Sequence, residues 1–210
     1  FAHGDVDKAV SFEEKIINSF NKYMLPVIVM KKENKKEAVC QVFEKVNTGG
    51  VSLSVFELLT ATFASEEFDL KEDWANIKSQ FKPYKVLDKT SEIDFIQAVT
   101  LVSTYRKKVD QDSLGLKDNI PAVSAKRKEM LNLELTDYLK YKDQVAEGLI
   151  KASKILVENH IFHSRDVPYT TQLVPMSAIL SQLGKEIENV GNKNKLMQWF
   201  WCGVFGELYG

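Results

Sequence analysis

Apolar residues recur along most of this chain at three- and four-residue spacing, the period of helices that bury one face. Between Ser11 and Leu25 they are Phe12, Ile16, Phe20 and Tyr23, and Pro26 closes the pattern. The next run, Pro26-Val27-Ile28-Val29-Met30, is continuously apolar and β-branched, which predicts one short buried strand near residues 26–31. A strand needs a pairing partner for its backbone groups, and Lys85-Val86-Leu87 is the one weak candidate in the chain. If it does not pair there, its sheet lies in sequence outside this chain or in another subunit.

Helical spacing resumes from Lys35 to Val46 through Ala38, Val39, Val42, Phe43 and Val46, and ends at Asn47-Thr48-Gly49-Gly50. Ser54 and Glu57 then have the spacing of a capping box, flanked by Leu53 and Leu58, so a helix is predicted from about Ser54 to Ala64. Further helices are predicted over Leu70–Phe81, Glu92–Lys108, Leu135–Asn159 and about Thr171–Ile187. The last segment, Asn194–Tyr209, has apolar residues on both faces, the pattern of a helix buried all round. At the end of a chain this calls for packing beneath other helices or against further sequence. The stretch 111–121 mixes Asp, Ser, Gly, Asn and Pro and reads as a linker or hinge. It separates a segment 1–110 from a helical subdomain 122–210. The fold class predicted is therefore mainly α, a multi-helix bundle-like domain with one short strand.

Composition supports the helical reading. Gly contributes 10 and Pro 5 of 210 residues, well below average usage, which disfavours turn-rich β architecture. With 44% hydrophobic and 27% charged residues the chain belongs with globular proteins and not with disordered or disulfide-framework chains. A formal net charge of -1 excludes wholesale electrostatic wrapping of nucleic acid, though not a local basic site. Cys40 and Cys202 both have apolar flanks and read as buried free thiols in a reducing, cytoplasmic setting. No secretory signal or bilayer span is visible, and membrane partners are not expected. The chain begins at Phe1 and stops without a polar tail, which reads as a piece of something longer.

The strongest local motif is Phe43-Glu44-Lys45-Val46-Asn47-Thr48-Gly49-Gly50-Val51-Ser52-Leu53-Ser54. Two readings are open. One is a purely structural helix stop, tight turn and capped restart. In the other, the consecutive backbone N–H groups of Gly49 and Gly50, close to the positive end of the next helix, make a small nest for phosphate. Glu44 and Asn47 could then contact a base, a sugar or a metal-bound water. Thr48 stands between them and the glycines.

The motif is not a phosphate-binding loop of the Gly-Lys-Ser/Thr kind, nor a dinucleotide fingerprint, because a helix precedes it. His160, His163 and Asp166 are three residues apart, but their Ser-Arg-Asp-Val-Pro surroundings read as loop, so no metal site is assigned. Arg165 is expected to pair with Asp166 or to help cap the helix after Pro168; holding an anion is its alternative role. Asp69, Asp73 and Asp94 read as helix-start carboxylates. The basic clusters Lys31-Lys32 with Lys35-Lys36, Arg106-Lys107-Lys108 and Lys126-Arg127-Lys128 read as solvated faces, which could track a phosphate backbone only if the fold brought them to one surface. No catalytic constellation is apparent.

The run Val42 to Leu53, followed by Phe56-Glu57-Leu58-Leu59-Thr60-Ala61, resembles the F-E-R-I-N-T-G-G-V-x-L signature of the GmrSD-type family. These are proteins with a ParB-like DGQQR domain, found in phage defence and modification-dependent restriction. Ser164 to Tyr169, Gln172 to Met176 and Trp199 to Gly210 also look familial and keep the family's order. The Asp-Gly-Gln-Gln-Arg motif itself, tied in that family to nucleotide binding and hydrolysis, does not occur in this chain, nor does a His-Asn-His nuclease pattern.

The resemblance therefore implies the middle and C-terminal helical portion of a larger protein, with residues 1–110 a remnant of the ParB-like domain. It implies no catalysis and no cofactor in this chain, with a nucleoside triphosphate and Mg belonging to the parent, an NTP-dependent nuclease. Its implied partners are the upstream DGQQR domain of the same protein and DNA. Glu44, Asn47, Thr48, Gly49, Gly50 and Arg165 are the ligand-binding candidates. The rival expectation is a helical interaction or scaffold module that docks a partner or self-associates through Trp199–Tyr209 and ignores nucleotides.

Overall fold

The structure, a computed structural model, describes residues 3–24, 53–115 and 122–209. The expected strand near 26–31, the helix 35–46, Cys40 and the Asn47-Thr48-Gly49-Gly50 turn lie outside the described residues. The chain forms two compact units, Phe1–Asn34 and Lys35–Gly210.

In the first unit α1 (His3–Phe12) runs through a π-helical turn, Glu13–Ile17, into α2 (Asn18–Asn21). The helix starts earlier than the periodicity from Ser11 indicates. Its stripe of Phe12, Ile16, Phe20 and Tyr23 is exposed.

The second unit is all helical among its described residues, in line with the expected mainly α, bundle-like class. α3 (Val55–Ala64) begins where expected: Ser54 Oγ accepts the Glu57 N–H at 3.2 Å while the Glu57 carboxylate accepts the Ser54 N–H at 2.7 Å. Asp69 caps α4 (Leu70–Gln80) by accepting the Glu72 N–H at 3.0 Å. Ser91 and Asp94 form a second capping box at the start of α5 (Glu92–Ser113). After α6 (Arg127–Leu131), the 24-residue α7 (Leu135–Glu158) buries Leu135, Tyr138, Tyr141, Val145, Leu149, Ala152 and Leu156, one continuous stripe at i+3 and i+4. α8 (Leu173–Leu183) stops at Gly184, whose φ of +53° suits glycine, and α9 (Val190–Phe205) closes the unit.

The core is shared. α7 and α8 pack together most extensively and α5 lies against both, while α3 sits on α4, α5 and α6. Phe63, Phe95, Tyr138, Leu149, Met176 and Phe200, drawn from five of these helices, are all fully buried. Aromatic rings join the layers: Phe63 and Tyr138 are 5.7 Å apart between centroids, Phe95 and Tyr138 6.4 Å, and Trp74 and Phe95 5.4 Å. α7 and α8 come close because Gly148 has no side chain; a Cβ there would stand 2.4 Å from the Ser177 carbonyl oxygen. The segment 111–121, read as a linker, begins inside the last turn of α5, and residues on both sides of it enter the same core.

Three expectations are corrected. Lys85–Leu87 is a 3-10 turn and not a strand: Val86 and Leu87 bury between helices, and Lys78 Nζ donates to the carbonyls of Leu87 (3.2 Å), Asp88 (3.0 Å) and Thr90 (2.7 Å), curling the backbone round one ammonium. α9 is not buried all round: Leu196, Met197, Phe200 and Gly203 turn inward, whereas Phe205 is 81% and Leu208 74% exposed. Cys202, on the outward side of α9, is an exposed free thiol where a buried one was expected.

Candidate functional site

Of the predicted ligand-binding residues, Glu44, Asn47, Thr48, Gly49 and Gly50 lie outside the described residues, and Arg165 lies within them. The described element that follows Gly50 in sequence is well anchored: beyond the Ser54 cap, α3 buries Val55, Phe56, Leu58, Leu59 and Phe63. With five of its ten residues in the core, this helix cannot rotate or slide without exposing large side chains.

Arg165 sits in the 3-10 turn Ser164–Asp166 with its side chain 78% exposed and Nε 3.6 Å from Asp166 Oδ1. Asp166 Oδ2 accepts the His163 N–H at 3.0 Å and lies 3.2 Å from His163 Nδ1. Desolvation pulls the Asp166 carboxyl upward, but the His163 N–H and ring and the Arg165 charge outweigh it and hold the pKa below the usual carboxylate value. Asp166 is thus the cap and ion-pair partner of its own turn. His160, at φ +65°, directs its ring toward Phe162. Among the described residues no group of three or more His, Cys, Asp or Glu side chains could hold a metal.

The structure also assembles polar sites that spacing did not reveal. Asp73 of α4, read as a helix-start carboxylate, accepts the Tyr138 hydroxyl of α7 at 2.7 Å and pairs with Lys142 one turn further on. Burial, followed by the hydrogen bond and charge of Asp73, drives the Tyr138 pKa well above that of a free phenol. With both donors engaged on one carboxylate, the cluster ties α4 to α7. Asp137 of α7 likewise ties down α5, taking Ser103 Oγ at 2.9 Å and Lys107 Nζ at 2.6 Å.

Two concavities flank this seam. A groove of about 370 Å³, almost wholly apolar, runs between α5 and α8 past Leu101, Tyr105, Val123, Pro175, Ile179 and Leu183. A polar cleft of about 380 Å³ lies between α5 and α7, lined by Arg106, Asp110, Lys140, Tyr141 and Gln144. The only sequence signal for this cleft was Arg106 within a basic cluster. Lys140 and Gln144, 34 and 38 positions later, carry no signal until the helices cross.

The chain is similar to Uncharacterized protein MJ0686 of Methanocaldococcus jannaschii, at 24% identity over 217 residues that cover 94% of this chain and 33% of the relative. It therefore spans about a third of the length of the curated relative it matches. No family model matches the chain, and no solved structure matches it.

Proposed function

We propose that this chain is the helical portion of a GmrSD-like defence protein, where it shapes a nucleotide or DNA site at the Asn47-Thr48-Gly49-Gly50 turn without supplying a catalytic group. The observation that carries the reading is α3, which follows that stretch in sequence, is capped at its N-terminus by the reciprocal Ser54–Glu57 box, and is anchored by five buried residues. Such a helix is a fixed platform for a phosphate site at its positive end. Because the cap already uses the Glu57 and Ser54 N–H groups, phosphate in this reading falls to the backbone N–H groups of Gly49 and Gly50, with Glu44 and Asn47 beside it. Arg165, held to Asp166, serves structure in this scheme and not the ligand.

The triphosphate and Mg, the hydrolytic residues and DNA contact belong to the longer protein, in a cytoplasmic setting. No helix among the described residues is long and apolar enough to cross a membrane.

The test is titration of ATP and of a DNA duplex into the longer protein and into its Asn47→Ala/Gly50→Val variant, with folding checked by circular dichroism. Loss of about tenfold or more in affinity is expected, the worth of one or two hydrogen bonds to a charged ligand. Unchanged affinity refutes the reading.

A second reading rests on α9. Its exposed Phe205, with Leu208 just past its end and half-buried Trp201 and Val204 beside them, presents an apolar face of the kind that docks other protein. As a scaffold module the chain would self-associate in light scattering and ignore nucleotides; a monomer that binds ATP removes this alternative.

A further inference from the structure

We infer that the polar cleft between α5 and α7 is a binding site for a phosphoryl group, held by Arg106, Lys140 and Gln144. The inference stands on these helices alone and does not depend on the reading of the Asn-Thr-Gly-Gly turn.

The geometry begins with two pairs at helical i, i+4 spacing. Arg106 and Asp110 share one face of α5, Lys140 and Gln144 one face of α7, and the four side chains line one cleft with Tyr141 at its wall. The neighbouring cations are already committed. Lys107 is bound to Asp137, whose carboxylate also takes Ser103, and Lys142 is bound to Asp73.

Arg106 makes no ion pair among the described residues although it is half-buried, and the Lys140 ammonium rests 5.1 Å over the Tyr141 ring. Among the described lining residues Asp110 is the one acidic group, so two cationic side chains face one carboxylate there. A guanidinium presents its N–H groups as a planar fork matched to two phosphate oxygens. Lys140, its ammonium lying beside Tyr141, adds a point charge, and the Gln144 amide is a neutral donor. The volume of about 380 Å³ exceeds what one phosphate needs and falls within the range of small-ligand pockets, so the phosphoryl group arrives attached to something larger.

A nucleotide and a DNA strand both carry that chemistry, and the probes separate them. Inorganic phosphate, ATP and a short fluorescein-labelled DNA duplex are titrated into the full chain, its Arg106→Gln/Lys140→Gln variant, its Asp110→Asn variant and the Asn47→Ala/Gly50→Val variant. Expected is binding of ATP or the duplex that weakens about tenfold in Arg106→Gln/Lys140→Gln, tightens severalfold in Asp110→Asn and persists in Asn47→Ala/Gly50→Val. Binding of ATP but not the duplex identifies a nucleotide as the source; binding of the duplex with a steep salt dependence identifies the strand backbone. Should Arg106→Gln/Lys140→Gln misfold, Asp110→Asn decides alone, because removing a carboxylate from the cleft can only favour an anion. No binding of any probe by the unaltered chain, no loss in Arg106→Gln/Lys140→Gln, or no gain in Asp110→Asn overturns the site. Loss of binding in Asn47→Ala/Gly50→Val alone would instead assign the phosphate to the turn.

Discussion

Gly148→Ala sets two well-measured effects against each other and lets the structure decide between them. Gly148 lies in the middle of α7, where alanine is the better helix former by about 1 kcal/mol. By propensity alone the substitution stabilises. The tertiary structure predicts the reverse, because the added Cβ would stand 2.4 Å from the Ser177 carbonyl oxygen, 3.2 Å from its carbon and 3.3 Å from the Ser181 nitrogen. All three are backbone atoms of α8, and none can swing aside as the end of a side chain would.

Relief requires α7 and α8 to part by roughly 1 Å, and a gap of that size forfeits a quarter to a half of each dispersion contact it opens. Overpacking of this kind costs about 1–3 kcal/mol and lies at the upper end when backbone meets backbone. After the gain in propensity, a net loss of about 2 kcal/mol is expected, or about 4–8 °C in Tm for a chain of this size. The assay is urea denaturation followed by far-UV circular dichroism and tryptophan fluorescence, with coincidence of the two probes establishing a single transition. Gly203→Ala is the comparison. There the Cβ would meet Gln172 Nε2 at 2.6 Å and Tyr209 Cε2 at 2.9 Å, side-chain and not backbone atoms, and the cost is displacement of the buried Gln172 amide from the Phe200 carbonyl it donates to at 3.0 Å, so the loss should be smaller than where backbone meets backbone. A Gly148→Ala variant as stable as the parent, or more so, refutes the close approach of α7 and α8.

Two further outcomes follow from the interactions at helix ends and seams. Ser54→Ala removes the cap of α3 and should cost about 1 kcal/mol in the same assay. Hydrogen bonds from Ser54, its backbone N–H first, hold the Glu57 pKa below the usual carboxylate value, so that contribution is present above the unfolded-state pKa and is lost as pH falls through the folded one; Ser54→Ala keeps that N–H, so the variant that reads it is Glu57→Gln, whose stability deficit should shrink in acid, and a deficit that widens there would contradict the cap. Asp73→Ala strands the Tyr138 hydroxyl and the Lys142 ammonium, whose side chain is only 17% exposed, and should cost about 2–3 kcal/mol. Adding Lys142→Met should recover part of that loss in a double-mutant cycle, whereas strict additivity would show the pair to be uncoupled.

The sequence by itself determined what is local. The Ser54–Glu57 box, the helix-start carboxylates Asp69 and Asp94 and the long stripe through Tyr138, Val145, Leu149 and Leu156 each rest on residues within a turn or two of one another. Backbone hydrogen bonding and burial of one face act over that range. The helices and much of the core could therefore be read directly, and the candidate turn at Asn47–Gly50 is likewise a short-range motif.

What only the tertiary structure decided is how each helix is rotated about its axis and what it meets. Periodicity could not tell that α9 turns Phe200 inward and leaves Cys202 and Phe205 outside, because both faces of that helix are apolar. Val86 and Leu87 looked extended, but three carbonyls gathered round Lys78 make a turn of them. Asp73 looked like an ordinary helix-start carboxylate until α7 brought Tyr138 and Lys142 against it across 65 residues and more. The Arg106–Lys140 cleft arises in the same way: the crossing of α5 and α7 is set by the apolar faces that bury between them, and the polar groups at its rim meet because the core has already decided where the helices lie.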